Sequence, residues 1–236
     1  MKHNAYNYIH NEKGLKGLAL VFSCNKNDEI LVEGLLKSFD FCEHFVAYYD
    51  DGTNFDYDES ERHLGLIREA EKHGAEWVYL TQPTMRCTYE WNSHLMPIIK
   101  GKNGILNSPV YFFWDYSINK VRTDSWSGKS GGCFFKLNPS NRYRSGKLHH
   151  IATPTNLPII PSTLARYDLR RLGKEVCIGK ADYYQKLDGT PHNGLRDFSK
   201  LTVSRIDPRI IKGIGENELK YIENIRRKYE TLQPLK

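Results

Sequence analysis

The chain of 236 residues has no apolar run approaching the roughly 20 residues that a membrane-spanning helix needs. Its first residues, Met-Lys-His-Asn-Ala-Tyr-Asn-Tyr, contain no apolar core of a secretory signal, so none is expected. The five cysteines (Cys24, Cys42, Cys87, Cys133, Cys177) are scattered and odd in number, with no Cys-x-x-Cys. That pattern argues against a disulfide framework and a structural zinc site, and implies reduced thiols in a cytoplasmic protein. The full phosphate-loop spacing is missing too. Gly128-Lys129-Ser130-Gly131-Gly132 lacks its first glycine and precedes a strand-like run, so a loop closing over a ligand is the better reading. Carboxylates are scarce after Asp115: before the C-terminal region only Asp124, Asp168, Glu175, Asp182 and Asp188 remain.

What is present is ordinary for a soluble globular protein, with 39% hydrophobic and 26% charged residues. Fifteen tyrosines can build a core, and can also stack on sugars or bases. The net charge of +6 is unevenly spread. Asp28 to Glu71 holds thirteen acids and three bases, whereas Lys120 to Lys174 holds eleven bases and two acids. So strong a contrast suggests a basic surface for the phosphates of a nucleotide or a nucleic acid.

Residues 1–14 are polar and read as a flexible arm. Leu15 to Ser23 is a buried strand, after which Asn25 can cap a helix with Asp28 and Glu29 in its first turn. Ile30, Leu31, Leu35 and Phe39 follow at helical spacing. Phe45 to Tyr49 is a second strand, Glu59 to His73 a helix stopped by Gly74, and Trp77 to Leu80 a third strand. Thr88 to Lys100 reads as a helix weakened by Pro97, and Val110 to Trp114 as a fourth strand. Short strands at 132–137 and 148–152, a basic segment from Arg166 to Lys174, a short helix at 181–187 and a charged helix at 216–232 complete the pattern. Alternating strands and helices predict an α/β fold with a mostly parallel sheet. Ligands in such sheets bind at the carboxyl ends of the strands, here Ser23-Cys24-Asn25, Asp50-Asp51, Thr81-Gln82 and Asp115.

Two stretches carry a family resemblance: Cys24-Asn-Lys-Asn-Asp-Glu29 after the first strand and Tyr49-Asp-Asp-Gly-Thr-Asn-Phe-Asp56 after the second. In spacing and order they resemble the start of the GT-A glycosyltransferases, in particular glycosyltransferase family two, over about forty residues and more loosely to about residue 190. The resemblance implies a GT-A fold with a nucleotide-sugar half at 15–117 and an acceptor-side half with a C-terminal helix at 118–236. It also implies a donor site in which Ser23, Asn25, Asp50 and Asp51 hold base and ribose. A carboxylate there would accept hydrogen bonds from ribose hydroxyls or a pyrimidine N–H. The bland alternative is that Asp50-Asp51-Gly52 is only a turn.

The family's metal-binding Asp-x-Asp falls at Asp115-Tyr116-Ser117, where Ser117 replaces the second acid. One carboxylate can suffice for magnesium or manganese, or the basic segment can neutralise the diphosphate instead. His149 and His150 lie where the family often has a further metal-binding histidine, and strand alternation would send one of them inward. Arg122, with Lys129, Arg142, Arg144 and Lys147, is a candidate to assist the leaving group. An inverting enzyme needs a carboxylate near the acceptor hydroxyl, and Asp182, Asp188 and Asp124 are the candidates.

The expected function is transfer of a sugar from a nucleoside diphosphate, by resemblance UDP, to a hydroxyl. The acceptor would be a glycan, a small molecule, or a modified nucleic-acid base reached through the basic segment 120–174. A sugar-nucleotide nucleotidyltransferase is a second reading, although the turn after the first strand lacks the glycine such enzymes use. A non-catalytic nucleotide- or nucleic-acid-binding module of the same fold is a third.

Overall fold

A computed structural model describes residues 3–51, 59–124, 130–143 and 153–230, without the side chains of residues 59, 130–132, 187 and 188. The first long strand, β2 (Leu15–Asn25), sets the frame. Its alternating side chains divide the interior. Leu18, Leu20, Phe22 and Cys24 pack on one face with Leu35 of α1 (Val32–Ser38) and Trp91 and Leu95 of α3 (Trp91–Ile99). Ala19 and Val21 pack on the other with Leu66, Ile67 and Ala70 of α2 (Glu59–Lys72). Gly74 ends that helix with φ of +88°, in the left-handed region.

β2 pairs in parallel with β3 (Cys42–Asp50) on one side and β4 (Trp77–Thr81) on the other. β8 (Ser130–Lys136) then runs antiparallel between β4 and β6 (Ile105–Trp114). Beyond β6 lie β10 (Arg166–Asp168), parallel to it, and β5 (Met85–Cys87), antiparallel to β10. β7 (Ser117–Arg122) forms a hairpin with β6 and pairs with β11 (Val203–Arg205), while β9 (Ile159–Pro161) adds to β6 in parallel. The described residues thus form one eleven-stranded sheet flanked by helices.

Two expectations change. The sheet is mixed rather than mostly parallel, because β8 reverses direction between β4 and β6 and hairpin pairings add further antiparallel neighbours. Within the arm expected at 1–14, residues 6–10 form a strand: β1 (Tyr6–His10) pairs antiparallel along β3 and covers its edge. Tyr6 and Tyr8 supply the aromatic cross-strand contacts that a polar-looking edge strand needs, against Tyr48 and His44. β7 to β11 extend the same sheet.

α4 (Lys174–Asp188) and α5 (Glu216–Glu230) cover the far end, where Val176 and Ile222 join Phe113, Tyr167 and Leu172 in a third core. Buried Arg86 fastens this end. Its Nε donates to the Gly213 carbonyl, Nη1 to those of Pro83 and Met85, and Nη2 to that of Leu31 and to the Glu218 carboxylate. All five guanidinium N–H donors are used.

Candidate functional site

The parallel strands end together. Ser23, Cys24 and Asn25 of β2 pair in register with Tyr48, Tyr49 and Asp50 of β3, and Phe22 pairs with Thr81 of β4. Asn25 is exposed, Asp50 half-buried and Asp51 exposed just beyond the strand. Asn25 folds the turn: its Oδ1 accepts the backbone N–H groups of Asn27 and Asp28 at 2.9 and 3.1 Å, and its Nδ2 donates to Asp28 at 2.8 Å. This is a side-chain turn ahead of the helix rather than the expected helix cap, because the first helical turn begins only at Glu29 and Asp28 stands directly before it. Asp50 has the Arg62 guanidinium of α2 at 3.5 Å.

The ends of β4 and β10 bring a second group to the same edge. Asp168, wholly buried, accepts the Arg170 backbone N–H at 2.9 Å, its Nε at 2.7 Å and its Nη2 at 2.6 Å. Nη1 of Arg170 donates to Gln82 at 2.6 Å, and Lys180 of α4 donates to the Arg170 carbonyl at 2.5 Å. Burial alone would raise the Asp168 carboxyl, but Arg170 holds it below the usual carboxylate range. Burial and then Arg170 depress the Lys180 ammonium to about 7. Burial raises the Asp28 carboxyl despite the hydrogen bond from Asn25 and the nearby Lys180 and Arg170. Tyr221 of α5 hydrogen-bonds Asp28. Titratable groups shifted in opposite directions at strand ends make this edge the candidate site.

No protein-family model matches the chain, and no curated protein matches it.

The remaining expected residues are dispersed. Asp115 and Tyr116 form the two-residue turn between β6 and β7 with φ of +52° and +49°, the left-handed pair of a tight hairpin. Tyr116 is pinned there by its N–H to the Leu172 carbonyl at 3.0 Å and its hydroxyl to Glu175 at 3.1 Å. Gly173 packs so closely on the Tyr116 ring that a Cβ would lie 2.9 Å from it. Asp115 is exposed and paired with Lys120 at 2.9 Å, and Ser117 spends its hydroxyl on the Asn119 N–H. Among the described residues no group of three or more His, Cys, Asp or Glu is placed to hold a metal ion. His149 and His150 lie outside the described residues, as do Lys129, Arg144 and Lys147.

Arg122 and Asp124, expected as leaving-group cation and base, are both buried and bound to each other, with Nε–O distances of 2.8 and 2.9 Å. Arg122 also lies over the Trp114 and Phe198 rings. Asp182 is exposed and paired with Arg196. It lies two residues after Lys180, about 200° around α4 from the face that meets Arg170. Asp188 ends that helix, and its side chain lies outside the described residues.

Of the strand-end partners, Asp28, Lys180 and Tyr221 are therefore additions to the site residues the sequence points to. The basic segment flagged Arg170, and the strand-end rule flagged Gln82. Lys180 and Tyr221 had no local signal, since each looks like one more polar residue of a charged helix.

Among the described residues, no helix is long and apolar enough to cross a membrane.

Proposed function

We propose that the chain is a GT-A-type glycosyltransferase that binds a nucleoside diphosphate sugar, UDP-linked by resemblance, across the carboxyl edge of its sheet. One observation carries the reading: the Asp50 carboxylate, set beside Asn25, and the Gln82–Arg170–Lys180 group share that edge, the first offering hydrogen-bond acceptors, the other positive charge. Asp50, Asp51 and the backbone at Ser23 to Asn25 would meet base and ribose. Lys180 has three N–H donors, of which the Arg170 carbonyl takes one, and it suits an anionic oxygen. Arg170, locked on Asp168 and Gln82, orients that carbonyl.

A nucleoside diphosphate leaves more readily as positive charge meets its developing negative charge. In this reading Lys180 supplies that charge from the chain. The described residues do not form a donor set for the divalent metal that the family resemblance implies, since Asp115 is engaged by Lys120. Activation of the acceptor hydroxyl needs a carboxylate. Asp28 combines a place at the edge with a raised carboxyl and is the first residue to test, ahead of Asp182. The acceptor is a hydroxyl of a glycan or small molecule, or a nucleic-acid base approached from the basic segment 120–174.

The test is a panel of UDP, uridine and UDP-sugars, measured by calorimetry and by UDP release with and without manganese. Tight UDP binding with release from one sugar donor supports the transferase. Tight binding without turnover on any donor favours the binding module, and pyrophosphate release from a nucleoside triphosphate plus sugar phosphate favours the nucleotidyltransferase.

A further inference from the structure

Beside the carboxyl end of β3, on the α1 side, a pocket of about 390 Å³ is lined by His3, Glu29, Val32, Glu33, Leu36 and Tyr49. Nothing in the proposed sugar transfer uses it. Its inner wall is Tyr49, only 3% exposed, whose hydroxyl is buried and has no hydrogen-bond partner among the described residues. A buried hydroxyl left unpaired costs about 1–3 kcal/mol, so folded proteins seldom leave one without a purpose. Burial holds this phenol protonated, with the Cys24 and Glu29 groups acting in the same direction. It is therefore both a donor and an acceptor.

The rest of the wall defines what would fit. Val32 and Leu36 are apolar, and the Tyr49 ring adds an aromatic surface. At the mouth stand two carboxylates. Glu29 lies 3.7 Å from the ring of His3, and Glu33 is held by Lys37 on its own helix at 2.6 Å. The His3 ring meets Tyr49 edge-on at 6.2 Å, so the N-terminal segment forms part of the wall. An apolar and aromatic floor, an acceptor at its base and carboxylates at its mouth together select a positively charged group on an apolar body.

We infer that this pocket, next to the nucleotide edge but lined by side chains the sugar transfer does not use, is a second ligand site that takes a small organic cation: a primary ammonium carried on an aromatic or aliphatic body. The ammonium donates to the Tyr49 oxygen and is neutralised by Glu29, while the body lies on Val32 and Leu36. Glu29 serves this site rather than Glu33, because Lys37 already neutralises Glu33. The cation replaces the weak His3 contact of Glu29 with a fully charged one.

The probe is 2-phenylethylamine, compared with 2-phenylethanol and phenylacetate, titrated into the full chain by calorimetry and protein-observed NMR. The amine should bind with a dissociation constant at or below about 1 mM, and the alcohol and the acid at least ~10-fold more weakly. Tyr49→Phe and Glu29→Gln should each weaken the amine by about 10-fold. Tyr49→Phe keeps the packed ring and deletes a hydroxyl that has no partner among the described residues, so its melting temperature should hold or rise. Weak amine binding by that variant would then not reflect lost structure. Glu29→Gln, at an exposed position, is the second check. UDP at saturation should leave amine binding unchanged. No binding at about 10 mM, equal binding of amine and alcohol, or displacement of the amine by UDP would each overturn the assignment.

Discussion

Asn25 and Asp50 are register partners at the carboxyl ends of β2 and β3. Partners on adjacent parallel strands lie about 4.8 Å apart and project to the same face. An amide and a carboxylate are thereby held side by side, within the span of a single nucleoside. Asn25 is fixed by its own turn and Asp50 by Arg62, so both are ordered before any ligand arrives.

Asp50→Ala should weaken UDP binding by about 10- to 100-fold, the worth of one or two hydrogen bonds to a charged group. Uridine should lose affinity in the same proportion, because the lost contact is to the nucleoside. Calorimetry with both ligands checks this. A variant that loses UDP but keeps uridine would move Asp50 to the phosphates.

Lys180 should behave in the opposite way. Lys180→Met should weaken UDP about 10-fold or more and leave uridine unchanged. The ammonium titrates near pH 7, well below an ordinary lysine. Its charge is present below that pH and lost above it, so UDP affinity should rise from pH 8 to pH 6 with proton uptake. Titrations in buffers of different ionisation enthalpy detect the uptake, and the Lys180→Met variant should show none of the lysine's share.

Arg86 and Glu218 make a prediction about stability. Both are buried, and Glu218 also accepts the Gly215 N–H at 2.8 Å. Glu218→Ala strands a buried guanidinium and should cost about 3–5 kcal/mol in chemical denaturation. It should also loosen α5 and with it the Tyr221–Asp28 contact. A loss under about 1 kcal/mol would show that water or a neighbouring group takes over the charge.

His44 sets an acid limit on the edge of the sheet. It is buried between β1 and α2, with the Tyr8 hydroxyl at 3.0 Å, Glu43 at 3.1 Å and the His10 ring stacked beside it. Tyr8 stacks in turn on His73, centroids 3.5 Å apart, and Glu69 lies beside His73. Burial pushes the His44 ring below its ordinary value, with His10 and His73 adding to the shift and Glu43 opposing it. Protonation then favours the unfolded chain. The stability this ring contributes is complete above about pH 6.5 and is lost as pH falls further, by up to ~1.4 kcal/mol per pH unit. Denaturation between pH 7 and pH 5 should show that slope, and His44→Gln should flatten it. Glu43, which the Gly17 N–H holds below the ordinary carboxylate range, and Glu69, which Lys72 lowers in the same way, act only at lower pH.

The frame of the fold is legible in the sequence where one periodicity dominates. β2, β3, β4, α2 and α5 stand within a few residues of their expected places because each is regularly patterned or, in the five-residue β4, continuously apolar. β1 is hidden because its partner, not its own hydrophobicity, makes it a strand. β6 begins at Ile105 rather than Val110, because Pro109 sits beside an irregularity in the β6–β8 register where its missing N–H does no harm. Asn25, Asp50 and Gln82 could be placed because strand ends are readable. Asp28 meets Lys180 and Tyr221 only through tertiary packing of segments more than a hundred residues from it in sequence, which leaves no local pattern.

The central claim is that the strand-end group binds a nucleoside diphosphate. Its most direct test is UDP affinity of wild-type protein, Asp50→Ala, Lys180→Met and the double variant in one calorimetric series. The account predicts saturable UDP binding by wild type, a loss in each single variant, and a near-complete loss in the double variant. Absent UDP binding by the folded wild-type protein, or unchanged affinity in both single variants, would contradict it.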